Sequence, residues 1–393
     1  MVKSDFTEGG YSLKIDRKYF STLDIECFSL MMKDPSYCYK FYWLEAIVQL
    51  ISEGVKETTF DAIIDEMICN AWYSVREFHI HLSGIQVDGQ VRDGLERAVL
   101  LLAEISNLPA NASKVEIKNA IREHNVALKS YKEQLTNMVP YRALVGFFNK
   151  SDEPADWGSV RRLTAYIEKI NRDTVLLPYI LGEESKLKKK VYFQNAWVEM
   201  IQDQMVVILG WIQYEKIKWL QNNNPEVPGL IYKLTSMDEK IRKLNNVRKL
   251  WDSILTMSEI RDVFTDEPVV LKQYDVDHFI PWSFVMNDEL WNLMPMDSSL
   301  NSAKSNRLPK WEPFFIRFAK NQFIMYQLIH EKEGIRKLYE SCYRDNLHSL
   351  WAGQELYRKG NSEREFVNIL QKNMQPVYDS ARRQGYEVWN RGW

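Results

Sequence analysis

Residues 274–309 read YDVDHFIPWSFVMNDELWNLMPMDSSLNSAKSNRLP, and the order of residue types along this stretch carries most of what the chain discloses. An Asp-His pair, Asp277 and His278, follows a β-branched run over 268–276. Asn292 stands fourteen residues past His278, at the start of a second extended run, Trp291 to Met296. Nine residues later Asn301-x-x-Lys304 opens a helix that begins near Ser298. The spacing therefore predicts strand, strand, helix.

This pattern resembles the HNH, or ββα-metal, nuclease family, in which an acidic residue and a His are followed by a central Asn and by a His or Asn on the helix. Pro281, Ser283, Leu293, Ser305, Leu308 and Pro309 extend the match. It is similar to the HNH domain of RNA-guided CRISPR effectors, which also use Asn in place of a third His. No cysteine pair brackets the segment, so a zinc-knuckle-free unit held by packing is expected, with Phe279, Ile280, Trp282, Phe284, Leu290, Trp291, Leu293 and Met294 as its apolar surface.

The resemblance implies His278 as general base, Asp277 and Asn301 as ligands of Mg²⁺ or Mn²⁺, Asn292 as the residue pinning the inter-strand loop, and Lys304 as a phosphate contact. The chemistry needs such types: in-line attack on a phosphodiester takes a deprotonated water and a cation at the phosphate oxygens. A hard cation prefers oxygen donors, which a carboxylate and an amide supply. On a regular strand His278 would face away from Asp277, so the strand is expected to end or bend there. Ser298 or Ser299 is the expected helix cap. Asn306, five residues past Asn301, projects away from it and is the weaker alternative ligand.

Outward from this segment the texture is helical. Tyr37, Phe41, Leu44, Val48 and Ile51 recur at helical spacing, as do Phe60, Ile63, Ile64, Met67, Ile68, Ala71 and Trp72 behind a Thr59 cap. Ser113 with Glu116 reads as a capping box. Helices are expected over 157–172, 191–221, 237–257 and from Trp311 to near the end, with loops at 149–156, 182–184 and 222–229. The fold class expected is mostly α: an irregular helical bundle with an embedded ββα-metal module. Its expected parts are 1–260 for recognition, regulation or assembly, 261–330 for the nuclease module and 331–393 as a helical extension.

Composition narrows the class further. An apolar fraction of 45% and an aromatic fraction of 13% describe a folded protein. Lys plus Arg total 51 against 53 acids, so any surface for a polyanion has to be local. Cys27, Cys38, Cys69 and Cys342 form no CxxC pair, which disfavours a disulfide framework and fits a reducing cytoplasm. The charged N-terminal stretch lacks the apolar run of a signal peptide, and no window spans a bilayer, so no membrane partner is expected.

Other features have plain alternatives. His79 and His81 alternate as on a strand and are read as satisfied surface or core histidines rather than metal ligands. His124, His330 and His348 lack partner spacing. Lys186, Lys188, Lys189 and Lys190, and the 214–250 stretch with eight Lys or Arg against four acids, fit either a phosphate-tracking surface or a solvated helix face. No phosphate loop and no GxSxG elbow occurs. The resulting expectation is a DNA endonuclease of a bacterial restriction or anti-phage system, acting with an ATPase or sensor subunit or as a homo-oligomer. Its alternatives are an RNase of the same fold and a nucleic-acid-binding scaffold with a degenerate module.

Overall fold

The computed structural model describes residues 13–33, 35, 37–84, 91, 93–137, 139–148, 159–173, 176–230, 233, 244–345 and 349–390. The chain divides into two compact units, 1–225 and 226–393. The stretches read from the sequence as a nuclease module and a C-terminal extension thus fall in one unit and share one apolar core.

In the first unit the helices are α1 (Ile25–Leu30), α2 (Tyr39–Ser52), α3 (Phe60–Phe78), α4 (Gly94–Ser106), α5 (Lys114–Glu123), α6 (Asn125–Leu135), α7 (Val139–Arg142), α8 (Val160–Asp173), α9 (Asn195–Asp203) and α10 (Met205–Asn223). Helix α2 is the centre, buried from Phe41 through Val48 and packed on α3, α9 and α10. The hairpin of α2 and α3 is as expected, with Thr59 capping α3 and the Ser113–Glu116 capping box opening α5.

Three short strands, β1 (Glu57–Thr59), β2 (Tyr179–Leu181) and β3 (Lys190–Phe193), form an antiparallel sheet in the order β1-β3-β2 that the helical reading of 191–221 overlooks. His79 and His81 do not sit on a strand. His79 is the left-handed C-cap of α3, and His81 Nδ1 lies 2.8 Å from Glu96 in the turn beyond it.

Asn224 closes α10 by accepting from His81 N and donating to His81 O and Leu220 O, all within this unit. The loop expected at 149–156 and His348 lie outside the described residues, as does most of the first half of the helix expected over 237–257.

The second unit holds α11 (Asn245–Leu255), β4 (Asp275–His278), α12 (Trp282–Val285), β5 (Leu293–Met296), α13 (Ser298–Lys304), α14 (Trp311–Glu331), α15 (Glu333–Asp345) and α16 (Glu363–Arg383). The strand–strand–helix order is present, and the architecture is mostly α with small sheets. Strand β5 has no exposed face: all four of its residues are buried, with α14 packed against it. Phe279 packs against Trp311, Phe315 and Phe318 of α14, which is how the two-stranded unit is held without a zinc knuckle. Among the described residues no helix is long and apolar enough to cross a membrane.

Candidate functional site

Strand β4 pairs antiparallel with β5 in the register Asp275↔Met296, Val276↔Pro295, Asp277↔Met294 and His278↔Leu293. Because side chains alternate across a strand, Asp275 and Asp277 share the partly exposed face, and Val276 and His278 share the buried one. The pairing continues past the strand, with Phe279 N donating to Asn292 O at 2.8 Å. The strand does end at His278, one of the two outcomes expected there, but no bend turns the side chain round: His278 stays in register with Leu293, and its carbonyl oxygen accepts from Lys304 Nζ.

The consequence for His278 is large. Its side chain is 1% exposed, and Nε2 lies 3.0 Å from the Asn287 carbonyl oxygen and 3.1 Å from Asp288 Oδ1. The imidazole faces the loop after α12, away from the carboxylates of Asp275 and Asp277. That loop is itself anchored. Met286 takes a left-handed conformation at φ 57°, and the Glu289 carboxylate accepts from Ser349 N at 2.7 Å and Ser349 Oγ at 2.8 Å.

Asn292 is fully buried, and both ends of its amide are used. Nδ2 donates to Ile280 O and Oδ1 accepts from Ile280 N, each at 2.8 Å. This is the loop-pinning geometry implied by the central Asn of the family, in which the side chain imitates a strand's paired bonds.

Helix α13 is capped by Asp297, not by Ser298 or Ser299. The Asp297 carboxylate accepts from Ser299 N and Leu300 N, and Asp297 N donates to Asp262 Oδ2 at 2.9 Å. Asp262 Oδ1 also accepts from Phe264 N and Thr265 N, so one buried carboxylate ties the 262–265 turn to the start of α13.

On α13, Asn301 Nδ2 donates to Asp275 Oδ2 at 3.4 Å. Lys304 Nζ donates to Asp277 Oδ2 and to His278 O, each at 2.9 Å, and Lys304 is fully buried. Expected as a phosphate contact, the ammonium faces inward and ties helix to strand. The structure thus brings Asp277 to Lys304 and Asn301 to Asp275, with His278 turned to the other side.

Asp275 was overlooked in the sequence, although its i,i+2 spacing from Asp277 on a strand places it on the same face. Arg248 of α11 completes the surroundings, its Nη2 3.8 Å from Asp275 Oδ1. Nothing in the sequence order signals that approach.

No cluster of three or more His, Cys, Asp and Glu side chains able to hold a metal occurs among the described residues. The side chains nearest to such a site are the Asp275 and Asp277 carboxylates and the Asn301 amide, a donor set whose oxygens would suit a hard divalent cation rather than zinc. For Asn301 to present its oxygen, its amide has to turn over from the Asp275 bond.

A strand carrying Asp-His, a side-chain-pinned loop and a capped helix with Asn and Lys against the strand define a ββα nuclease-type unit. Residues 262–310 match the family of HNH endonucleases, so this part of the chain is an HNH domain. No curated protein and no solved structure matches the chain.

Proposed function

We propose that the chain is a metal-dependent endonuclease hydrolysing phosphodiester bonds of DNA. The observation that supports this best is the pairing of Asp275 and Asp277 on the open face of β4 with Asn301 beside them, inside the HNH domain. Asp277 and Asn301, with Asp275 adjacent, would hold Mg²⁺ or Mn²⁺. When bound, such an ion supplies charge neutralisation at the phosphate and leaving oxygens. Lys304 keeps the Asp277 carboxylate oriented, and Asn292 keeps the β4–β5 loop closed.

His278 is the proposed general base. In the arrangement described, its Nε2 faces Asn287 and Asp288, so base work requires the end of β4 and the 286–289 loop to part and let the imidazole reach the Asp277 side. The test is nicking of a supercoiled plasmid with Mg²⁺ by wild type, His278→Ala and Asp277→Ala. Loss of a general base lowers the rate roughly 10²–10⁴-fold. Equal nicking by wild type and His278→Ala would defeat the assignment of the base.

The sealed imidazole favours a second reading, a nucleic-acid-binding scaffold whose HNH domain is degenerate. Calorimetric titration of Mg²⁺ separates the two: binding lost in Asp277→Ala belongs to the enzyme, and no binding to the scaffold. A labelled RNA substrate in the same series tests the RNase alternative. A role in restriction or anti-phage defence, in the cytoplasm and with an ATPase or sensor subunit or a second copy as partner, extends the nuclease reading by family analogy. It predicts reduced phage plating on cells expressing the wild type but not the His278→Ala variant.

A further inference from the structure

Arg248 lies on α11, outside the 262–310 match, yet it is built into the rim of the site. Its Nη1 donates to the Tyr274 carbonyl at 2.9 Å, and the guanidinium carbon stands 5.5 Å from the centre of the Tyr274 ring. Tyr274 holds α11 in return: its hydroxyl donates to Asp252 Oδ1 at 2.9 Å and lies 3.2 Å from Arg248 O. Tyr274 immediately precedes β4, so these contacts fix where the guanidinium sits relative to Asp275 and Asp277.

The contacts with Tyr274 fix where Arg248 sits, but its approach to Asp275 adds little to stability. The 3.8 Å approach of Nη2 to Asp275 Oδ1 is longer than a hydrogen bond, and the two side chains are 46% and 39% exposed. An ion pair that open to water contributes about 0–1 kcal/mol.

Asp277 already has the Lys304 ammonium as its counter-ion, so Asp275 is the carboxylate of this face that repels a polyanion unless a cation stands beside it. Lys304 cannot serve, because its ammonium is buried on Asp277 and His278 O. Arg248 is half exposed, and a guanidinium offers a planar fork of donors that matches a phosphate's oxygens. Lys249, the next residue, is exposed as well.

We propose that Arg248 is a phosphate-binding residue of this site, gripping a backbone phosphate of the nucleic-acid strand next to the bond held over Asp275 and Asp277. The assignment rests on the nuclease reading for its substrate, but its test does not depend on cleavage. Fluorescence anisotropy of a labelled DNA duplex with the full chain, in EDTA, reads the affinity across a salt series. Each phosphate contact contributes about 0.9 to the slope of log affinity against log salt.

Arg248→Gln is expected to flatten the slope by that amount. Arg248→Lys, which keeps the charge, is expected to preserve it. In steady-state cleavage the Gln variant is expected to raise KM with kcat little changed, as for binding made equally in ground and transition states. A Gln variant with the wild-type slope, a Lys variant as flat as Gln, or a wild type that does not bind duplex DNA would each overturn the proposal. Arg248-dependent binding with no cleavage by any form would leave it standing and overturn the nuclease reading instead.

Discussion

Both halves of the Asn292 amide are spent on Ile280 inside the core, so shortening the side chain leaves a backbone donor and a backbone acceptor without partners and without water. Each such loss costs about 1–3 kcal/mol, and Asn292→Ala is expected to lower stability by about 2–4 kcal/mol in urea titration. Asn292→Asp sets a carboxylate against the Ile280 carbonyl oxygen where no water reaches, and is expected to cost at least as much as Ala. Lys233 gives a prediction of a different kind. Burial pulls its ammonium down to about 7, with Nζ 2.6 Å from Phe284 O and over the Phe284 ring. The folded-state value lies below the ordinary 10.5, so folding is disfavoured most at and below pH 7, and the cost fades as pH rises towards 10.5. Lys233→Met removes the titration. Its gain in Tm over wild type is expected to be largest near pH 7 and to shrink by pH 9.5; an unchanged gain across that range would refute the linkage.

Among elements, α13 is the one on which the site depends, and its seven residues are too few to persist without partners. Asp297 at its start and Lys304 at its end are what hold it. Asp297→Ala is expected to cost about 0.5–2 kcal/mol, the range for loss of an N-cap, in chemical denaturation. Lys304→Met is expected to cost more, because it strips the Asp277 carboxylate, 18% exposed, of its counter-ion. The order of β4, β5 and α13 was legible in the sequence because Asp-His, the central Asn292 and Asn-x-x-Lys occur together at the right spacings, although each alone has many other uses. Which side of β4 His278 occupies was not legible. Alternation alone placed it opposite Asp277, the family resemblance argued that the strand ends or bends there, and β4 does end at His278 but with that residue still in register with Leu293 and on the face opposite Asp277. The sheet of β1, β2 and β3 escaped because strands of three or four residues are too short to show a period of two, and Val191 and Phe193 lead straight into the pattern of α9. Arg248 escaped for a third reason: its neighbour Asp275 is close only after folding.

At the scale of the second unit, the core is closed from the end of the chain. After α16 the backbone returns to the segment between α13 and α14, where Leu308 N donates to Glu387 O at 2.9 Å and Trp389 N to Leu308 O at 2.7 Å, an isolated parallel bridge between Leu308 and Val388. Trp389 meets Phe264 edge-on at 5.1 Å, and Tyr386 meets Phe284 at 5.6 Å. Phe264 follows the carboxylate of Asp262 that anchors α13, and Phe284 lies in the short helix after His278, so these closing residues brace the site from two sides. Two buried aromatic side chains contribute about 3–5 kcal/mol each when truncated from a core. A chain ending at Gln384 loses both, together with the bridge at Leu308. It is expected to lose cooperative melting of this unit, read as a fall in Tm of roughly 10 °C or more. The Trp389→Phe variant retains an aromatic ring against Phe264 and is expected to lose far less. If the truncated chain melted like the full one, the closing contacts would be ornaments of the core rather than part of what holds α13 and the 282–285 helix in register.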